Sequence, residues 1–124
     1  MMAKLPKLVR DLIPDIIEES GKACTCQLLP EDRDIRRHFL IDKLQEETKE
    51  FDKACDDLAL GTSDANPVLE EAGDMLQVCL DLWSLWGLSL EDVSSAAALK
   101  CKERGSFAGG VFLMSVREGD DSLQ

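Results

Sequence analysis

Lys43-Leu44-Gln45-Glu46-Glu47-Thr48-Lys49-Glu50-Phe51 decides how the rest of the chain is read, because it sets carboxylates where a helix should be apolar. Leu40, Leu44, Phe51, Ala54 and Leu58 recur every three or four residues, the spacing of one helical face. At about 100° per residue, Glu47 falls in the middle of that stripe, Glu50 and Lys43 along its edge, and Glu46 well off it. An ionised acid against apolar neighbours is costly unless a counter-charge or a cation meets it. Glu71 and Asp74 repeat the i, i+3 carboxylate spacing on a second predicted helix. Two such pairs facing each other make a cage of oxygens suited to a hard divalent cation, and we read that cage as the candidate active site.

The chain has 124 residues, 44% of them hydrophobic, enough for one domain with its own core and too few for two ordinary ones. We expect a single domain over residues 1–116 and a polar, disordered tail over 117–124. The net charge of -11 argues against a duplex nucleic acid as partner, since phosphate backbones want a basic surface. A phosphate ester as ligand must instead be held by metal and local bases. The apolar-rich run 75–90 is broken by Gln77, Asp81, Ser84 and Gly87, so no membrane segment is expected. Five cysteines (Cys24, Cys26, Cys55, Cys79, Cys101) form an odd set and no charged-then-apolar leader opens the chain, which points to a reduced, cytoplasmic protein.

Working outward from the acidic stretch, its helix is predicted over 34–60, entered through Pro30, Glu31 and Asp32 and stopped by Gly61. Residues 62–67 have the chemistry of a loop joining two antiparallel helices, and a second long helix is predicted over 68–86. Val68, Leu69, Ala72, Met75, Leu76, Cys79, Leu80, Leu82, Trp83 and Trp86 wrap well over half its circumference, more than one neighbouring helix covers, which implies a partner subunit. Asp74 lies off that arc, near only Val78 and Leu85 in angle, and Glu71 lies at its margin, so a groove wall suits them better than a core. Ser89-Leu90-Glu91-Asp92 resembles a capping box opening a helix that reaches Arg104 before Gly105. Its stripe of Leu90, Val93 and Ala97 continues onto Lys100 and Arg104. Upstream, a basic arm over 4–10 leads into a short helix capped by Asp11, with Pro14 in its first turn, Ile13, Ile16 and Ile17 buried, and Gly21 as its stop. Residues 111–116 are the best strand candidate, and pairing them with 23–29 would give a minimal two-stranded hairpin.

A charged helix face paired with Lys43 and Lys49 is the ordinary reading of Glu46, Glu47 and Glu50; the place of Glu47 on the apolar stripe argues against it. His38 has no His or Cys at ligand spacing and reads as an exposed helix residue. Cys24-x-Cys26 lacks the second pair a zinc site needs, and residues 104–110 read as a helix stop and hairpin entry ahead of a phosphate loop. Trp83 and Trp86 read as core or subunit contacts.

Glu46-Glu47-x-x-Glu50 followed, twenty residues on, by Glu71-x-x-Asp74 resembles the signature of the all-α, MazG-like nucleoside triphosphate pyrophosphohydrolases. The opening Lys7-Leu8-Val9-Arg10-Asp11-x-Ile13-Pro14 and the closing Lys100-x-x-x-Arg104-Gly105-x-Phe107 resemble the phosphoribosyl-ATP pyrophosphohydrolase-like branch, with Ser106 standing where a second glycine is expected. The resemblance implies an antiparallel helix bundle assembled as a homodimer or homotetramer. It further implies Mg²⁺-dependent cleavage between the α- and β-phosphates, giving a nucleoside monophosphate and pyrophosphate, with Mn²⁺ as a substitute ion. Glu47, Glu50, Glu71 and Asp74 would be the metal ligands, and four carboxylates exceed the charge of one Mg²⁺, which calls for a further ion or a protonated acid. Glu46 or Glu47 would take the proton of the attacking water. Lys43, Lys100, Arg104 and Arg10 would hold phosphate, arginine by its bidentate fork. The alternatives are hydrolysis of phosphoribosyl-ATP itself and a non-catalytic helical module, either metal-stabilised or nucleotide-sensing.

Overall fold

The computed structural model describes residues 5–118, and its regular elements are α1 (Ile13–Glu19), α2 (Arg33–Ala59), α3 (Asn66–Ser84) and α4 (Leu90–Arg104). The chain falls into two compact units, one ending at Ser89 and the other beginning at Leu90. From residue 119 onward the expected polar tail lies outside the described residues.

The first unit is built on α2 packed against α3. Asp32 starts α2 from extended backbone, its carboxylate accepting the Ile35 amide at 2.9 Å, and so satisfies one of the donors a helix start leaves open. Arg36 reaches back from the first turns to donate to the carbonyls of Pro30 at 2.9 Å and Leu29 at 3.1 Å. At the other end Gly61 turns through a φ of 75°, which costs a side chain-free residue little, and the Thr62 amide and hydroxyl both donate to the Asp57 carbonyl at 3.0 Å. The Asp64 carboxylate then accepts the Asn66 amide at 3.0 Å, and Pro67 occupies the first turn of α3. This short connection returns the chain alongside itself, so α2 and α3 run antiparallel. Their seam is narrow: Ala54 on α2 and Val78 on α3 are the buried side chains among the described residues.

Three expectations are corrected here. Residues 23–29 and 111–116 form no strand, and no hairpin exists among the described residues. The first segment is held instead by Arg36 at its end and by the Cys24 thiol, 3.9 Å from the Pro14 carbonyl. The second belongs to the other unit and is exposed throughout, with no neighbouring strand to satisfy its backbone. Asp11 does not cap α1, which starts from Leu12 without a side-chain cap; the Ile13 amide donates to the Arg10 carbonyl. Ile16 is exposed, because only the Ile13 and Ile17 side of a seven-residue helix is partly covered.

The wide apolar arc of α3 is only partly covered. Leu69 is 72% exposed and Ala72, Leu76 and Trp86 are exposed as well, whereas Val68, Met75, Cys79, Leu80, Leu82 and Trp83 are half-buried. Glu71, Asp74 and Leu85 are also half-buried around Val78, so acids and apolar side chains share the covered side of α3.

Because Val78 is one of the two side chains buried in the seam among the described residues, Val78→Ala should destabilise the fold by about 1–3 kcal/mol through the apolar contact it removes. Urea denaturation followed by circular dichroism should show a lower midpoint with an unchanged slope; an unchanged midpoint would mean the seam is looser than described.

Candidate metal centre

Glu47 lies near the middle of α2, and the antiparallel return of α3 brings Glu71 and Asp74 across from it. One carboxylate oxygen from each of the three lies within 4.8 Å of the other two. The Glu47 side chain is 12% exposed and that of Glu46 34%, as the position of Glu47 on the apolar stripe predicts. Glu50 is exposed and stands outside the three-oxygen cluster, at its rim.

Three bases meet these acids. Lys43 lies one turn before Glu47 on α2, half-buried, its Nζ 3.3 Å from Glu46 Oε2 and 3.4 Å from Glu47 Oε1. Arg10 donates from Nη2 to Asp74 Oδ1, and Lys7 Nζ lies 4.0 Å from Glu46 Oε1. The spacing on one helix makes the Lys43 pairs legible in the sequence. Lys7 is a site residue that sequence reasoning missed as such; its place in the basic arm, three residues before Arg10, was the available signal.

Even with these bases nearby, burial, Asp74, Glu47 and Glu50 together push the Glu71 carboxyl above the ordinary glutamate range. Like charges share the seam in excess of their partners. The donor set is chemically that of a hard cation: oxygens on one ion at 2.0–2.1 Å stand about 3–4 Å apart, and the three acids bring theirs within 4.8 Å of one another. The residues present thus fit a divalent cation such as Mg²⁺.

The seam opens at its loop end onto a cavity of about 170 Å³ lined by Glu50, Asp57, Ser63, Pro67 and Glu71 among others, so the cluster is accessible from that side. Lys100 and Arg104, by contrast, belong to the second unit, both exposed on the last turns of α4. In that unit Gly105 ends α4 with a φ of 83°, and Ser106, at the position where a glycine is expected, accepts the Ala108 amide on its hydroxyl at 3.2 Å. His38 is exposed, 3.5 Å from Asp42, and Trp86 carries the Arg33 guanidinium over its ring at 5.6 Å. Neither takes part in the acidic cluster.

No family model matches the chain, and no curated protein or solved structure matches it at a significant level.

The raised Glu71 carboxyl carries a definite pH dependence. The folded state holds its proton more tightly than the unfolded chain, so this stability is complete below the unfolded-chain value and lost as pH rises through the folded one. In chelator, the melting temperature of the parent should therefore fall relative to Glu71→Gln as pH is raised from acid to neutral. Mg²⁺ should restore the parent and leave the variant unmoved. A parent-to-variant difference that does not change with pH would show Glu71 to be free of its neighbours.

Proposed function

We propose that the chain is an Mg²⁺-dependent nucleoside triphosphate pyrophosphohydrolase of the MazG-like kind, working in nucleotide-pool house-cleaning. The convergence of Glu47, Glu71 and Asp74 from two antiparallel helices is the observation that carries it. Without a ligand, such a cluster is an expense to the fold, and its residues are those of the pyrophosphohydrolase signature. The five free cysteines suit a reducing compartment, and the reading assigns the enzyme to the cytoplasm. Among the described residues no helix is long and apolar enough to cross a membrane.

In the reaction a water adds to the α-phosphorus, the bridging bond to the β-phosphate breaks, and a nucleoside monophosphate and pyrophosphate leave. Bound Mg²⁺, held by Glu47, Glu71 and Asp74, would supply charge neutralisation and an oriented water. Glu50, at the rim, would support a further ion. Glu46 stands beside the cluster, more exposed than Glu47, and takes the proton of the attacking water. Lys43 neutralises Glu46 and Glu47 from below the cluster, and the Arg10 guanidinium approaches from the arm, where phosphate oxygens would meet it. The resemblance would give the outgoing pyrophosphate to Lys100 and Arg104, which belong to the second unit.

A nucleotide panel with Mg²⁺ tests the reading, phosphoribosyl-ATP included. Release of monophosphate and pyrophosphate supports it; diphosphate and inorganic phosphate, or no product, would sink it. Glu47→Gln should lower turnover by at least about a hundredfold, since even the supporting partners of metal ligands are worth 10–100-fold.

The same reading makes the protein a homodimer or homotetramer. A domain of this size normally buries far more than the two side chains buried among the described residues, and the exposed part of the α3 arc, around Leu69, Ala72 and Leu76, is the surface that would meet a second copy. A cavity of about 170 Å³ is also smaller than the roughly 300–1,000 Å³ of small-molecule sites, so this cavity by itself does not enclose a nucleotide. Light scattering at micromolar concentration should give at least twice the chain mass, and Leu69→Ser should shift it towards the monomer. A monomeric parent would refute the assembly.

A further inference from the structure

The N-terminal arm reaches the acids before any ligand does. Its end is fixed where the Arg10 carbonyl accepts the Ile13 amide at 3.0 Å, and the Arg10 guanidinium crosses to α3, 64 residues downstream, to bond Asp74 Oδ1. Three residues earlier, Lys7 lies 4.0 Å from Glu46 on α2. One short segment therefore straps both acid-bearing helices. The two engaged bases of the cluster itself differ in kind. Lys43 shares a helix with its partners and is half-buried, whereas Arg10 comes from outside the helix pair and its side chain is 56% exposed.

Asp74 is one of the three acids whose oxygens converge, and a guanidinium already sits on Oδ1. A hydrogen bond to that oxygen competes with a metal bond for its lone pairs, and two cations cannot share it without repulsion. We infer that Arg10 is a resident counter-ion which a divalent cation displaces from Asp74, and that the displaced guanidinium then turns to the anionic part of the ligand. The inference rests on the pyrophosphohydrolase reading, in which the cage takes both a cation and a phosphate ester. It assigns the arm a task the acids cannot perform: covering the cage when it lacks a cation and presenting a planar, two-pronged donor to phosphate when it has one.

Removing Arg10 then moves two affinities in opposite directions. Mn²⁺ alone gains, because the competitor is gone; the gain is modest, about two- to fivefold, because an exposed ion pair is weak. Inorganic pyrophosphate in saturating Mn²⁺ loses about tenfold, because its guanidinium partner is gone. An arm that merely holds the fold together would weaken both.

The test uses the full chain. Mn²⁺ binding is read from the electron paramagnetic resonance of the free ion, and pyrophosphate binding by calorimetry, for the parent, Arg10→Ala and Arg37→Ala. Arg37→Ala removes the same charge from α2, but Arg37 lies 3.6 Å from Asp34, away from the converging oxygens and from the cavity beside them, and so measures the general field. Arg10→Ala should tighten Mn²⁺ by clearly more than Arg37→Ala does, and should weaken pyrophosphate. Circular dichroism checks the fold, and Arg10→Gln replaces Arg10→Ala if the latter unfolds. Unchanged or weaker Mn²⁺ affinity, or a gain that Arg37→Ala matches, overturns the inference alone. A parent that binds no Mn²⁺ overturns the pyrophosphohydrolase reading and this inference together.

Discussion

Repulsion between carboxylates on two facing helices is the constraint to which the rest of the first unit answers. At an effective dielectric of about 20, two charges about 5 Å apart repel by about 3 kcal/mol, and solvent reaching the more exposed acids reduces that further. A fold whose whole stability is about 5–15 kcal/mol feels even the reduced figure. Glu47, Glu71 and Asp74 make three such pairs. The bases around them come from two places in the sequence: Lys43 from the same helix as Glu47, and Arg10, with Lys7 beside the neighbouring Glu46, from the arm. Take the arm away and the helix pair keeps its seam but loses two of three counter-charges.

That seam is poorly equipped to absorb the loss. Its buried members are an alanine and a valine, so little apolar area is removed from water to offset charge. Part of the apolar arc of α3, around Leu69, Ala72 and Leu76, is exposed. The helix therefore commits acids as well as apolar residues to its own chain, and in the assembly proposed above the exposed part of its arc would supply the burial the seam lacks.

Helix limits were legible because glycine marks them physically: Gly61 and Gly105 adopt the left-handed backbone that stops α2 and α4, and Gly87 does so just past α3. The burial of Glu47 was legible from its angle on an apolar stripe, since one helix dictates it. What periodicity could not supply was anything depending on tertiary contact. It found the widest apolar arc of α3 but not how much of it packs inside the chain, and it favoured strands at 23–29 and 111–116 where no neighbour pairs with them. Asp11 had the chemistry of a cap, yet the turn through Arg10 begins α1 one residue later, from Leu12. The meeting of Arg10 with Asp74 spans 64 residues and leaves no local trace. The arm could be seen to be basic; where its charges land is a property of the fold.

Charge bookkeeping also resolves how a chain with a net charge of -11 could favour an anionic ligand. Glu46, Glu47, Glu50, Glu71 and Asp74 face Lys7, Arg10 and Lys43, five acids against three bases, so the cluster keeps two negative charges when all are ionised. A phosphate ester arriving by itself meets a negative surface whose bases are already engaged, and is repelled. A divalent cation removes that excess and weakens the hold of the acids on the bases around them. Only then does the same surface attract phosphate. On the proposed reading, the ratio of acids to bases would set the order of events: cation with or before anion. A cluster with no bases could hold a metal and would have nothing left to offer the phosphate.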